Sequence, residues 1–158
     1  MNKIFVWGYL DEYHQNRETI LRAVEEVFES GKLVLGDKGI RFEKEYAAYC
    51  GVKYGIGCDN GTNAIFLALK AMGIGTGDEV VTVSNTAIPT VSAIVSTGAI
   101  PVFVDIDPTT YLMDVTKVEA VITEKTKCIV PVHLFGQCVD MDPLIAIAMK
   151  YNLKIVED

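Results

Sequence analysis

The spacing of apolar positions changes along this chain. From Tyr13 to Ser30 they fall at Ile20, Leu21, Val24, Val27 and Phe28 with charges between them, which predicts a helix with one apolar face, closed by Gly31. Lys32–Asp37 reads as a short connector. Ile40 to Cys50 returns to helical spacing through Phe42, Tyr46, Ala47 and Tyr49 and stops at Gly51. From Lys53 onward, short continuous apolar runs alternate with amphipathic ones. Tyr54–Cys58, Glu79–Val83, Pro101–Asp105, Lys127–Val132 and Leu153–Asp158 predict strands; Thr62–Met72, Pro89–Thr97, Thr116–Ile122 and Asp142–Asn152 predict helices. Gly73–Asp78 and Asp107–Thr110 read as turns.

Strands that are apolar throughout and separated by helices belong to a mainly parallel sheet with both faces covered. The expected fold is therefore α/β, a three-layer α/β/α arrangement. Residues 1–50 form a helical arm and residues 51–158 the sheet domain. The last predicted strand has no covering helix after it, so the chain is expected to be a truncated part of something longer.

Composition removes several classes. Of 158 residues, half are apolar and 22% are charged, which suits a globular domain. The net charge of −7 and the absence of any Lys/Arg cluster argue against nucleic-acid binding. The apolar region Ile88–Val104 is broken by Pro89, Gly98 and Pro101, so it predicts helix, turn and strand and no membrane span. The start, Met1–Gly8, is too short and mixed for a signal peptide. Cys50, Cys58, Cys128 and Cys138 form no C-x-x-C pair and no His stands at zinc spacing, so buried, reduced thiols in a cytoplasmic protein are expected, with no metal site.

In an open α/β sheet, ligands bind outside the carboxyl ends of the strands. The polar residues there are Asp59–Asn63, Ser84–Ala87, Asp105–Asp107, His133–Gln137 and Asp158. Tyr54–Lys70 reads as strand, glycine-rich turn and helix. Asn60 or Thr62 can cap the helix, and Gly61 admits close approach of whatever lies above. The free N–H groups and the dipole suit a phosphate, although Asp59 next door disfavours an anion, and a simple helix cap explains the turn equally well. By themselves, Ser84–Ala87 read as a capping loop, His133 as a hydrogen-bonded structural residue and Asp158 as a surface charge or cap. No G-x-S-x-G elbow supports a Ser/His/Asp triad. Gly55-x-Gly57-x-x-x-Gly61 misses the dinucleotide fingerprint by one place, which leaves a Rossmann-like nucleotide-binding module as an alternative.

The ordered set of segments resembles one family. The stretch N-G-T-N-A-I-F-L-A-L-K-A-M-G-I-G-T-G-D-E-V-V, then T-G-A-I-P-V-F-V-D-I-D-P, P-V-H-L-F-G-Q and K-I-V-E-D look like the DegT/DnrJ sugar aminotransferases, pyridoxal-phosphate (PLP) enzymes of fold type I. The upstream piece from Ser30 to Tyr54 fits as well. The resemblance implies that Gly61, Thr62 and Asn63 hold the cofactor phosphate and that Asp158 faces the pyridine nitrogen. It also implies a nucleotide-linked keto-sugar as substrate, an amino acid, usually glutamate, as amino donor, and a homodimer. Ala87 stands where the family carries an aromatic residue that stacks on the cofactor ring; His133 and Phe135 are the conceivable substitutes. Lys32 and Leu33 also replace aromatic residues. The Schiff-base lysine implied by the family lies beyond Asp158, and Lys53, Lys70 and Lys127 do not match its motif, so the chain by itself is expected to be inactive. A non-catalytic relative of the same fold is the remaining alternative.

Overall fold

The computed structural model describes Gly8–Asp158. Residues 1–7, most of the stretch tested for a signal peptide, lie outside the described residues. The chain forms two compact units, one ending at Gly57 and one spanning Cys58–Asp158.

The first unit carries α1 (Tyr9–Glu29) and α2 (Asp37–Tyr49). Gly31 follows α1 with φ +67°, the left-handed conformation expected of a residue that closes a helix. Tyr54–Cys58 is not a strand, contrary to its apolar pattern. Its backbone is occupied by α2: the Gly57 N–H donates to Glu43 Oε1 at 2.7 Å. A Cβ on Gly55 would lie 2.5 Å from the Glu43 carbonyl oxygen, so the segment runs against the helix backbone and no sheet neighbour takes its hydrogen bonds.

The second unit begins with α3 (Gly61–Ala71) and continues through β1 (Glu79–Val83), α4 (Ile88–Ser96), β2 (Ile100–Val104), β3 (Thr126–Ile129), α5 (Met141–Tyr151) and β4 (Lys154–Ile155). The sheet order is β2-β1-β3-β4, and every pairing is parallel. Alternation along the strands separates two cores. Val80, Cys128 and Val130 face Ile65 and Leu69 of α3 and Ala93 and Ile94 of α4. Val81, Val83, Val104 and Ile129 face Leu144 and Ala148 of α5 together with Val118 and Leu112. Helices therefore cover both faces, as the continuous apolar strands require. Each fully buried Leu or Ile contributes about 1.5–3 kcal/mol through removal from water.

Two elements differ from their patterns. Thr116–Ile122 forms not an α-helix but two 3₁₀ turns, Val115–Lys117 and Glu119–Val121. The run is rich in β-branched residues, and Asp114 caps it locally by accepting from the Thr116 N–H and hydroxyl. The last strand is formally only Lys154–Ile155, yet the parallel bonding continues. The Val156 N–H donates to the Ile129 carbonyl, the Asp158 N–H to the Pro131 carbonyl, and the His133 N–H to the Asp158 carbonyl.

Candidate functional site

Helix α3 passes into β1 through the turn at Gly73–Asp78, so it runs antiparallel to the strand. Its N-terminus stands at the carboxyl end of the sheet. Asn60, and not Thr62, is the cap: its Oδ1 accepts the Asn63 N–H at 2.9 Å, and its carbonyl accepts the Ala64 N–H at 3.0 Å. The N–H groups of Gly61 and Thr62 have no protein acceptor among the described residues. Gly61 is exposed, and a Cβ built on it would meet nothing within 4 Å. Neither its φ nor a protein neighbour demands glycine there. The Asp59 carboxylate, which disfavours an anion, is held by the Asn60 and Asn63 side-chain amides at 3.0 and 2.9 Å. Asn63 thus spends its backbone N–H on the cap and its side chain on Asp59.

Asp158 ends the extension of β4 at the same end of the sheet. Its backbone is fixed on both sides by Pro131 and His133, and its Oδ2 accepts the Thr90 hydroxyl at 2.5 Å. Oδ1 has no protein partner among the described residues. Thr90 lies in the first turn of α4, and its oxygen is 2.7 Å from the Thr86 hydroxyl. Ala87 is the N-cap of α4, one residue after Thr86, and is exposed. It borders an open groove of about 490 Å³ with Ser84, Thr86 and Val91. Thr90 escaped the sequence reading, and Thr86 entered it only as part of the Ser84–Ala87 loop. One signal was available: Thr90 shares the spacing of Ala93 and Ile94 on the buried face of α4, and a buried hydroxyl needs a partner.

The other strand-end residues are committed to local structure. Asn85 Nδ2 donates to the Tyr111 carbonyl at 3.1 Å. Asp107 Oδ1 accepts the Thr109 and Thr110 N–H groups at 2.8 and 2.9 Å, and those donors, Thr110 first, hold its carboxyl below the usual range. His133 Nδ1 accepts the Val139 N–H at 3.1 Å, so the proton sits on Nε2 and is donated to Glu157 Oε2 at 2.9 Å. Both ring nitrogens are engaged. Glu157 and Asp158 leave the strand on opposite faces, as alternation requires. Phe135 is 93% exposed with φ +57°. A cavity of about 930 Å³ lies elsewhere, between the Asp107–Glu119 segment and α5. Three of its four acids are engaged, Asp107 in its turn, Asp114 with Lys117 and Glu119 with Lys150; the fourth is Asp140, the N-cap residue of α5. Cys128 is buried, and burial pushes its thiol up to about 12, but Cys50, Cys58 and Cys138 are exposed, contrary to expectation. All four are free.

Bare N–H groups at a helix N-terminus and a fixed carboxylate with one free oxygen, both at the carboxyl end of a parallel sheet, suit a ligand with a phosphate and a basic nitrogen. Residues 14–158 match the DegT/DnrJ/EryC1/StrS aminotransferase family, and the chain belongs to that family. It is 57% identical over 154 residues to dTDP-3-amino-3,4,6-trideoxy-alpha-D-glucose transaminase of Micromonospora megalomicea subsp. nigra, covering 98% of this chain and 41% of that protein. Among solved structures, DesV of S. venezuelae in complex with a ketimine intermediate superposes with a TM-score of 0.95 at 37% identity, over 99% of this chain and 42% of that one. NtdA from Bacillus subtilis with bound PMP gives 0.90 at 37% identity, over 99% of this chain and 37% of that one. The fold is that of these aminotransferases. The chain spans about two fifths of the length of the relatives it matches.

Proposed function

We propose that this chain supplies part of the cofactor site of a PLP-dependent aminotransferase that moves an amino group from an amino acid, glutamate by family resemblance, to a nucleotide-linked keto-sugar. The observation that supports it most is the pairing of α3's bare N–H groups with the half-free Asp158 carboxylate at one end of the sheet. The donor set fits the cofactor. Gly61 and Thr62 would hold the phosphate through backbone N–H groups, with Asn63 stabilising the turn beneath. The open space at Gly61 is room that a Cβ would fill. Asp158 Oδ1 would accept a proton-bearing ring nitrogen. Ala87 would border the ring face without stacking on it.

When bound, PLP supplies an electron sink for the carbon that loses its proton during amino transfer. The residues of this chain would bind and orient it: the phosphate at α3 fixes one end, and Asp158 keeps the ring nitrogen charged at the other. The cofactor-linking lysine and the sugar pocket would come from outside this chain, so residues 1–158 alone would not turn over. A homodimer in the cytoplasm is proposed on the family resemblance. No helix of the described residues is long and apolar enough to cross a membrane.

The test is amino transfer by the protein that carries this chain. Incubation with PLP, glutamate and a dTDP-linked 3-keto-6-deoxy sugar is expected to give the aminosugar and 2-oxoglutarate, with PLP absorbance shifting on addition of glutamate. A protein that binds no PLP and shows no such shift refutes the reading. PLP binding without turnover would favour the non-catalytic alternative.

A further inference from the structure

We propose that Thr90 is a positioning residue for Asp158: its hydroxyl holds one carboxylate oxygen so that the other faces the cofactor's ring nitrogen. This rests on the reading of Asp158 given above. Thr90 is 1% exposed, on the face of α4 that packs against the sheet with Ala93 and Ile94. A hydroxyl buried there is costlier than a valine of the same shape unless it has a partner. Of the other buried threonines of the sheet unit, Thr82 donates to the Val130 carbonyl and Thr97 to the Ile94 carbonyl, and Thr126, at the start of β3, makes a long 3.4 Å contact with the Glu79 carboxylate at the start of β1. Thr90 makes a short bond to a carboxylate 68 residues away in sequence, at the carboxyl end of the sheet where the candidate site lies.

The direction of the hydrogen bonds follows from the chemistry. An ionised carboxylate only accepts, so the Thr90 proton goes to Asp158 Oδ2. Thr90 then has no proton left for Thr86, and the 2.7 Å contact between the two hydroxyls must be Thr86 donating to Thr90. The chain Thr86 to Thr90 to Asp158 leaves Oδ1 free. With the Asp158 backbone held by Pro131 and His133, the hydroxyl fixes the remaining side-chain rotation. The carboxylate is thereby oriented before any ligand arrives, which lowers the ordering cost of binding.

The experiment compares PMP with its 1-deaza analogue, in which the ring nitrogen is a carbon, by calorimetry on the protein that carries this chain. Wild type is expected to prefer PMP. Thr90→Val is expected to weaken PMP about tenfold and leave the analogue within about twofold, while Thr90→Ser returns PMP to within about threefold of wild type. If Thr90→Val does not fold, Thr86→Val carries the test. It is expected to weaken PMP about threefold with the analogue unchanged, because Thr90 loses its donor. Equal loss of both ligands overturns the proposal, since it marks a merely structural role. Wild-type preference for PMP that Thr90→Val leaves intact overturns it too, while sparing Asp158. A wild type that binds PMP and the analogue equally overturns the Asp158 reading and this proposal with it.

Discussion

Gly61→Ala separates what the fold needs from what a ligand needs. The position is the first residue of α3, and its backbone does not occupy the left-handed region. A Cβ there meets no protein atom within 4 Å. Alanine therefore brings no strain, and it narrows the unfolded chain's freedom, which stabilises by about 0.4–1 kcal/mol. For a cooperative unit of about 150–250 residues that is a rise in melting temperature of about 1–4 °C. The same methyl stands where a phosphate would approach the Gly61 and Thr62 N–H groups. Losing one or two charge-assisted hydrogen bonds of about 1.5–3 kcal/mol each weakens binding about tenfold to over a hundredfold. Melting of the ligand-free protein and calorimetric titration with PMP measure the two effects. The expected outcome is opposite signs: more stable, weaker binding. A variant that binds PMP as wild type does, or that is destabilised by more than about 0.5 kcal/mol, refutes the reasoning.

Other perturbations probe neighbouring links. Asn60→Ala removes the side chain that accepts the Asn63 N–H, and urea denaturation is expected to show a loss of about 1 kcal/mol, whereas Asn60→Ser keeps a capping oxygen without adding a charge beside Asp59 and is expected to lose less. Gly98→Ala, at φ +91° with its Cβ 2.6 Å from Thr76 Oγ1, is expected to cost about 1–3 kcal/mol in the same assay without altering PMP affinity in the folded fraction. Cys128 is expected to resist iodoacetamide in the folded protein while the three exposed cysteines react, as peptide mass spectrometry would read. Burial raises its thiol from 9.0 to about 12, so the native state holds the proton while the unfolded state releases it. Its stabilising contribution is complete below pH 9 and lost as pH rises toward 12, with a loss of roughly 1 kcal/mol by pH 10. Denaturation at pH 8 and 10 that shows the same difference for Cys128→Ala as for wild type contradicts that assignment.

Much of the sheet unit was legible because its strands are apolar on both faces and its helices on one. Ile65 and Leu69, or Leu144 and Ala148, declare their burial by spacing alone. Local bonding decided the failures. The Tyr54–Cys58 pattern is strand-like, but a strand needs a neighbour, and α2 takes the Gly57 N–H instead. Val115–Val121 has helical spacing, yet β-branched residues and the Asp114 cap shorten it to 3₁₀ turns. At the site, alternation placed Asp158 and Glu157 on opposite faces. Nothing in spacing could join Thr90 to Asp158, because that contact is made only when α4 packs on the sheet beside the last strand. The strand-end location likewise marked His133 as polar and well placed, but the backbone N–H of Val139 decides its proton.

In the proposed site Asp158 faces and charges the cofactor's ring nitrogen. The most direct measurement is the ¹⁵N chemical shift of ring-labelled PMP bound to the protein that carries this chain. A protonated ring nitrogen is expected in wild type and a neutral one in Asp158→Asn. A neutral ring nitrogen in wild type, or one whose protonation is the same in the variant, contradicts it.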